Sequence, residues 1–211
     1  MPISGAWAGW LAALEANGVA TAFMLRPGAK EAAIVALEAV LGVQLPEEAR
    51  ALYVLADGQA DVMDVASVPP GKIATPLFGG FEFNSLERIA YEWTGWREIR
   101  DQHTPEQLAE DFDDSVEVRA GDPVKKHYTH QAWIPFATDG GGNSLALDLA
   151  PEPGGTVGQI IVIGSDEDLR RVLAPGLTAF LEQLTDKLRS GEITIGEPEN
   201  DGAPIVFFGI E

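Results

Sequence analysis

The segment WIPFATDGGGNSLALDL, residues 133–149, constrains the fold most: three consecutive glycines separate two stretches of alternating apolar residues. A phosphate-binding glycine loop opens directly into a helix, whose free N–H groups and dipole hold the anion. Here a second period-two stretch follows instead. Ile134, Phe136 and Thr138 share one face of the first stretch, and Leu145, Leu147 and Leu149 share one face of the second. A four-residue loop from Gly140 to Asn143 pairs Thr138 with Leu145, Phe136 with Leu147 and Ile134 with Leu149, so the apolar faces coincide. The segment therefore predicts an antiparallel hairpin, with Asp139 and Asn143 capping its turn.

Around this hairpin the chain alternates helical and extended patterns. Trp7, Trp10, Leu11 and Leu14 fall at helical spacing after Ser4, and Ile34, Leu37, Val40 and Leu41 form a second stripe ending at Gly42. A third helix begins at Pro46, with Glu47 and Glu48 complementing its dipole and Asp57-Gly58 as its stop. Ser85 caps a fourth, whose inclined stripe is Leu86, Ile89, Trp93 and Trp96. AWIPFAT, SLALDLA and QIIVIGS predict a three-stranded meander, and Leu177, Phe180, Leu181, Leu184 and Leu188 predict a closing helix. Residues 104–122 are acidic and poorly periodic, as in an insertion or a solvated loop, and APIVFFGI near the end is a candidate strand or partner-binding tail.

The 211 residues suffice for one well-filled domain, and 45% hydrophobic with 22% charged residues is the balance of a globular chain. There is no cysteine, which excludes disulfides and thiolate chemistry. The first residues lack the pattern of a secretory signal and no apolar run is long enough to span a bilayer, so a cytoplasmic location and no membrane partner are expected. With 14 Lys plus Arg against 33 Asp plus Glu, the formal net charge is −19. That field repels nucleic acid, which is bound chiefly through cations, and either steers in a cationic partner or serves solubility alone.

No motif commits the chain to catalysis or to a cofactor. Asp139 and Asp148 share a face in the expected register but stand about 13 Å apart along the ladder, beyond the 5–9.5 Å of a glycosidase pair. His127 and His130 lack a third ligand in any zinc pattern and are expected as surface histidines. The DFDDSVEVRAGD run places Val116 where a calcium loop requires Gly, and neither a GxSxG elbow nor a full Walker loop is present. No metal is expected. Trp93 and Trp96, three apart on one helix, suit either the core or a binding hot spot.

In order, LRPGAKEAAIVALEAVLGVQLPEEARALYVLADGQ, SLERIAYEW, WIPFATDGGGNSLALDLAPEPGGTVGQII and LTAFLEQL resemble the SUKH superfamily, specifically its Smi/Knr type. The resemblance covers residues 23–188 and implies a single α+β domain: a curved mixed, mainly antiparallel sheet flanked by helices, with a concave surface for protein recognition. It also implies a role that needs no catalytic residue, since bacterial members are mostly toxin-binding immunity proteins and a fungal relative regulates cell-wall synthesis. The resulting expectation is a helical arm over 1–22, the α+β domain over 23–190 with an acidic insertion at about 101–131, and an extension over 191–211. As function, an immunity protein that neutralises a cognate toxin with a basic surface is expected. Glu92, Trp93, Trp96, Asp111, Asp113, Asp114, Asp139 and Asn143 are its candidate contacts, the tryptophans only where unburied. The rivals are a regulatory adaptor and, less favoured, a hydrolase using Asp139 and Asp148. Oligomeric state is left open.

Overall fold

A computed structural model describes residues 1–61, 68–196 and Gly209. In chain order the elements are α1 (Ile3–Ala16), α2 (Thr21–Met24), β1 (Leu25–Pro27), α3 (Glu31–Leu41), α4 (Glu47–Leu55), β2 (Ala56–Gln59), β3 (Glu82–Phe83) and α5 (Leu86–Asp101). There follow α6 (Pro105–Asp111), a 3-10 turn (Asp113–Ser115), β4 (Glu117–Val118), β5 (Trp133–Thr138), β6 (Asn143–Asp148), β7 (Gln159–Gly164), β8 (Leu169–Ala174) and α7 (Leu177–Ser190). The arrangement is α+β: an open six-stranded mixed sheet in the order β3-β5-β6-β7-β8-β4, in which only the β4–β8 pair is parallel, accompanied by a small β1–β2 ribbon.

Local chemistry sets several boundaries where the sequence places them. Ser85 accepts from the Arg88 N–H and caps α5, while Gly42 and Gly191 take left-handed conformations that end α3 and α7. α4 instead stops at Leu55, and Asp57 lies in β2 with its carboxylate accepting the Leu86 N–H at 2.8 Å. The strand β8 was not expected, because LRRVLA carries two arginines where an inward face would be apolar. The candidate strand in APIVFFGI lies outside the described residues.

The triple glycine does reverse the chain between antiparallel neighbours, but in a different register from the one expected. Thr138 pairs with Ser144, Ala137 with Leu145 and Ile134 with Leu147, with a bulge at Phe136. The Asp139 carboxylate is the reason. It accepts the Gly141 N–H at 2.7 Å, the Asn143 N–H at 3.0 Å and the Asn143 side-chain amide at 2.8 Å, drawing Asn143 back so that its carbonyl accepts the Asp139 N–H. Alternation does not oppose this shift, since every residue of β5 and β7 is buried and both sheet faces are covered.

One face carries the main core, to which α1 contributes the buried Trp7, Trp10 and Leu14. The segment expected as an arm is thus part of the core, and the Trp10 indole donates to the Leu77 carbonyl at 3.1 Å. The opposite face carries a smaller cluster of Val124, Trp133, Ala146, Ile161 and Ile163. Burying side chains of this size contributes about 1.5–3 kcal/mol each. Its cover is the stretch expected as a solvated acidic insertion, in which Val116 and Val124 are buried. The acids there hold the chain down: Asp113 accepts the Tyr128 N–H at 2.6 Å and faces His127 Nδ1 at 2.7 Å, and Asp122 accepts the Val172 N–H at 2.6 Å.

Candidate protein-interaction surface

The contacts expected from the sequence do not form one free surface. Trp93 is only 6% exposed, and its indole donates to the Gln131 carbonyl at 3.0 Å while the Arg97 and Arg100 guanidinia lie 5.4 and 5.5 Å from its ring. It is a core residue. Trp96 is half-buried, edge-on to Tyr128 at 5.5 Å, and Glu92 is ion-paired with Arg88 at 2.7 Å. Asp113 secures the Tyr128 N–H and the His127 ring, so of the acidic trio Asp111 and Asp114 are exposed and Asp113 is not. Asp139 and Asn143 bond to each other in the turn, at the opposite end of β5 from Gln131.

The other ionisable candidates are also engaged in the fold. Asp148 is fully buried and accepts the Ala150 N–H and the Gln159 amide, each at 3.0 Å. Burial pushes its carboxyl up, partly offset by those bonds. It lies five ladder positions from the Asp139–Asn143 pair, about 16 Å, which disposes of a dyad. His127 and His130 are stacked at 5.9 Å, and burial together with the charges of His127, Lys125 and Arg100 pulls His130 down to about 4. Among the described residues no group of three or more His, Asp or Glu is placed to hold a metal ion, and no helix is long and apolar enough to cross a membrane.

What the fold does gather is exposed apolar surface. Among the described residues, four of the eight large hydrophobics left exposed, Met1, Val54, Leu55 and Val157, line two adjoining clefts. One, of about 510 Å³, lies between the start of α1 and α4, where Ile3, Ala51, Val54 and Leu55 form its walls. The other, of about 390 Å³, lies between the β6–β7 loop and the start of α7, where Val157, Pro175 and Leu177 do so. Glu47 and Glu48 belong to both. Helix α4 produces this by carrying two apolar stripes: Ala49, Leu52 and Tyr53 face the core, Ala51 is half-buried at its edge, and Val54 and Leu55 are left exposed. Glu48 ties α4 to α7 by accepting from the Thr178 hydroxyl at 2.6 Å. The surplus stripe is visible in the sequence run RALYVLA, whereas the approach of Val157 is purely tertiary.

Comparison with known proteins assigns the chain. It is 30% identical over 203 residues to the cell wall biosynthesis/cell cycle regulator smi1 of Schizosaccharomyces pombe, covering 94% of this chain and 38% of that protein. It is 30% identical over 195 residues to a glucan synthesis regulatory protein of Neurospora crassa, covering 78% of this chain and 34% of that protein. The cell wall assembly regulator SMI1 of Saccharomyces cerevisiae is 27% identical over 184 residues, 76% of this chain and 35% of that protein. The chain thus spans about a third of the length of these curated relatives. Their names overturn the expected toxin-immunity role and the cognate toxin as partner. The expectation failed because one fold serves both roles, and fold alone does not select between them. The SMI1 / KNR4 family (SUKH-1) model matches residues 28–183, and with that match over most of its length the chain belongs to this family.

Proposed function

We propose that this chain is the interaction domain of a regulatory protein, an adaptor that binds another protein and performs no chemistry of its own. The observation that carries this is its similarity, over 94% of its length, to a regulator of cell-wall biosynthesis. Two features of the molecule support it. Asp113, Asp148 and Arg170 all hold main-chain or amide partners in place. By contrast, the exposed Met1, Val54, Leu55 and Val157 line the two clefts beside α4, where a partner would be received.

Substitution of this chain for the matched region of the Schizosaccharomyces pombe relative tests the proposal. Growth on a cell-wall-binding dye and the glucan content of the wall should return to the wild-type level. A well-expressed, folded chimera that leaves both at the level of the deletion strain would overturn it.

A further inference from the structure

We infer that the α4 groove receives a basic amphipathic helix of a partner protein, an inference that rests on the adaptor function proposed above and names the partner's chemistry. The groove's floor is apolar, with Ala51, Val54 and Leu55 at one end and Val157 at the other. Its rim is acidic, with Glu47 exposed, Glu48 shared by both clefts and Glu182 on α7 41% exposed. Glu47 and Glu48 suit the N-terminus of α4 itself, and Glu182, beyond the first turn of α7, lies 3.8 Å from the Met1 ammonium in an exposed ion pair that a cationic ligand can replace. The one cation of α4, Arg50, turns away and is ion-paired with Glu31 and Glu38, so the Met1 ammonium offsets only Glu182 and the rim keeps the charges of Glu47 and Glu48. An apolar strip bordered by acids selects a helix with apolar residues at i, i+3, i+4 and i+7 and Lys or Arg flanking them. The nine residues of α4 run about 14 Å, the length of two to three turns of such a ligand.

Charge discriminates against the other occupants. Residues 197–211 supply an apolar APIVFFGI run, but they carry Glu197, Glu199, Asp201 and Glu211 and no Lys or Arg. A second copy brings a formal charge of −19 against the same rim. Both are repelled where a cationic helix is attracted.

Fluorescence anisotropy of a labelled Leu/Lys peptide of about fourteen residues, leucines at helical spacing, tests this on the full chain. Binding should weaken as salt rises, and Val54→Asp, Val157→Asp and Glu47→Lys should each lower affinity about tenfold or more. Val40→Asp, an exposed apolar position on α3 outside the groove, should leave it unchanged. Because Val54 and Val157 are more than half exposed and lie on different elements, circular dichroism will separate loss of binding from loss of fold. No binding, equal binding of a Leu/Glu peptide, or binding indifferent to the groove variants overturns the inference. Displacement by a peptide of residues 197–211 would assign the groove to the chain's own tail, and dimerisation abolished by Val54→Asp would assign it to a second copy; each also overturns it. A chain that restores wall synthesis yet binds no peptide sinks this inference alone. One that binds and does not restore sinks only the regulatory function.

Discussion

The guanidinium of Arg170, which has no exposed surface, donates from Nη2 to the main-chain carbonyl of Tyr128 at 3.0 Å. The same side chain donates to the carbonyls of His127 at 3.1 Å and Gly164 at 3.5 Å, and to that of Glu167. Burial pulls its pKa below the ordinary value, opposed by Glu167, Tyr128, Asp168 and Asp113 around it. One central side chain of β8 thereby fastens the segment covering the second sheet face to the sheet beneath it. An acidic stretch with few apolar residues stays folded there because a buried cation organises its backbone.

Arg170→Met should therefore cost about 3–5 kcal/mol, since several buried carbonyls lose their donor at once and methionine fills the volume without replacing a bond. Urea denaturation gives the magnitude. Hydrogen exchange should show the loss concentrated in residues 123–131; a uniform loss across the domain would argue that the arginine supports the whole sheet and not the cover.

The three glycines of the hairpin are not equivalent. Gly142 has φ 103° and an added Cβ would stand 2.4 Å from Ser165 Oγ, a hydroxyl that can rotate away, so the backbone conformation dominates and Gly142→Ala should cost about 1–2 kcal/mol. Gly140 has φ 75° but open space around it, and Gly140→Ala should cost about 1 kcal/mol. Gly141 has no left-handed φ and only ordinary contact with Asp139, so Gly141→Ala should be nearly neutral. Thermal unfolding of the three variants should rank them in that order. Equal effects would mean that the left-handed conformations of Gly140 and Gly142 do not govern the turn.

Trp93→Ala should destabilise by about 3–5 kcal/mol, as for a large core residue, while Trp96→Ala should cost about 1–2 kcal/mol. Neither should alter affinity for the Leu/Lys peptide once the fraction folded is taken into account. A stable Trp93→Ala variant with impaired binding would return that tryptophan to the interface.

Much of this was legible in the sequence wherever one stripe faces one core. α3, α5 and α7 follow from Ile34, Leu37 and Leu41, from Leu86, Ile89 and Trp93, and from Phe180, Leu181 and Leu184, with Ser85 and Gly42 as punctuation. Legibility fails where a residue's partner is distant in the chain. Arg170 reads as a solvent residue until Tyr128 is placed over it, and the hairpin register cannot be read from alternation when Trp133 and Ala146 are buried on the face opposite Ile134 and Leu147. Half of the groove was visible as the surplus of Ala51, Val54 and Leu55 on α4, but nothing local announces Val157 beside them.

His130 predicts how stability depends on pH. Its Nδ1 accepts the Ala132 N–H at 3.2 Å, a bond only the neutral ring makes, and it packs against Trp133 at 5.7 Å. Burial first, then the positive charges of His127, Lys125 and Arg100, lowers its pKa from 6.5 to about 4. A folded value below the unfolded one means that the unfolded chain takes up the proton first. The contribution of His130 is therefore complete above pH 6.5 and declines as pH falls toward 4. Ordinary carboxylates titrate at the lower end of this window, so its upper part isolates the histidine. His130→Asn keeps an acceptor for Ala132 and removes the titration. The urea midpoint of the unaltered protein should fall between about pH 6.5 and 5, and that of the variant should stay nearly level across the same interval. Parallel curves would place the neutral-ring requirement elsewhere.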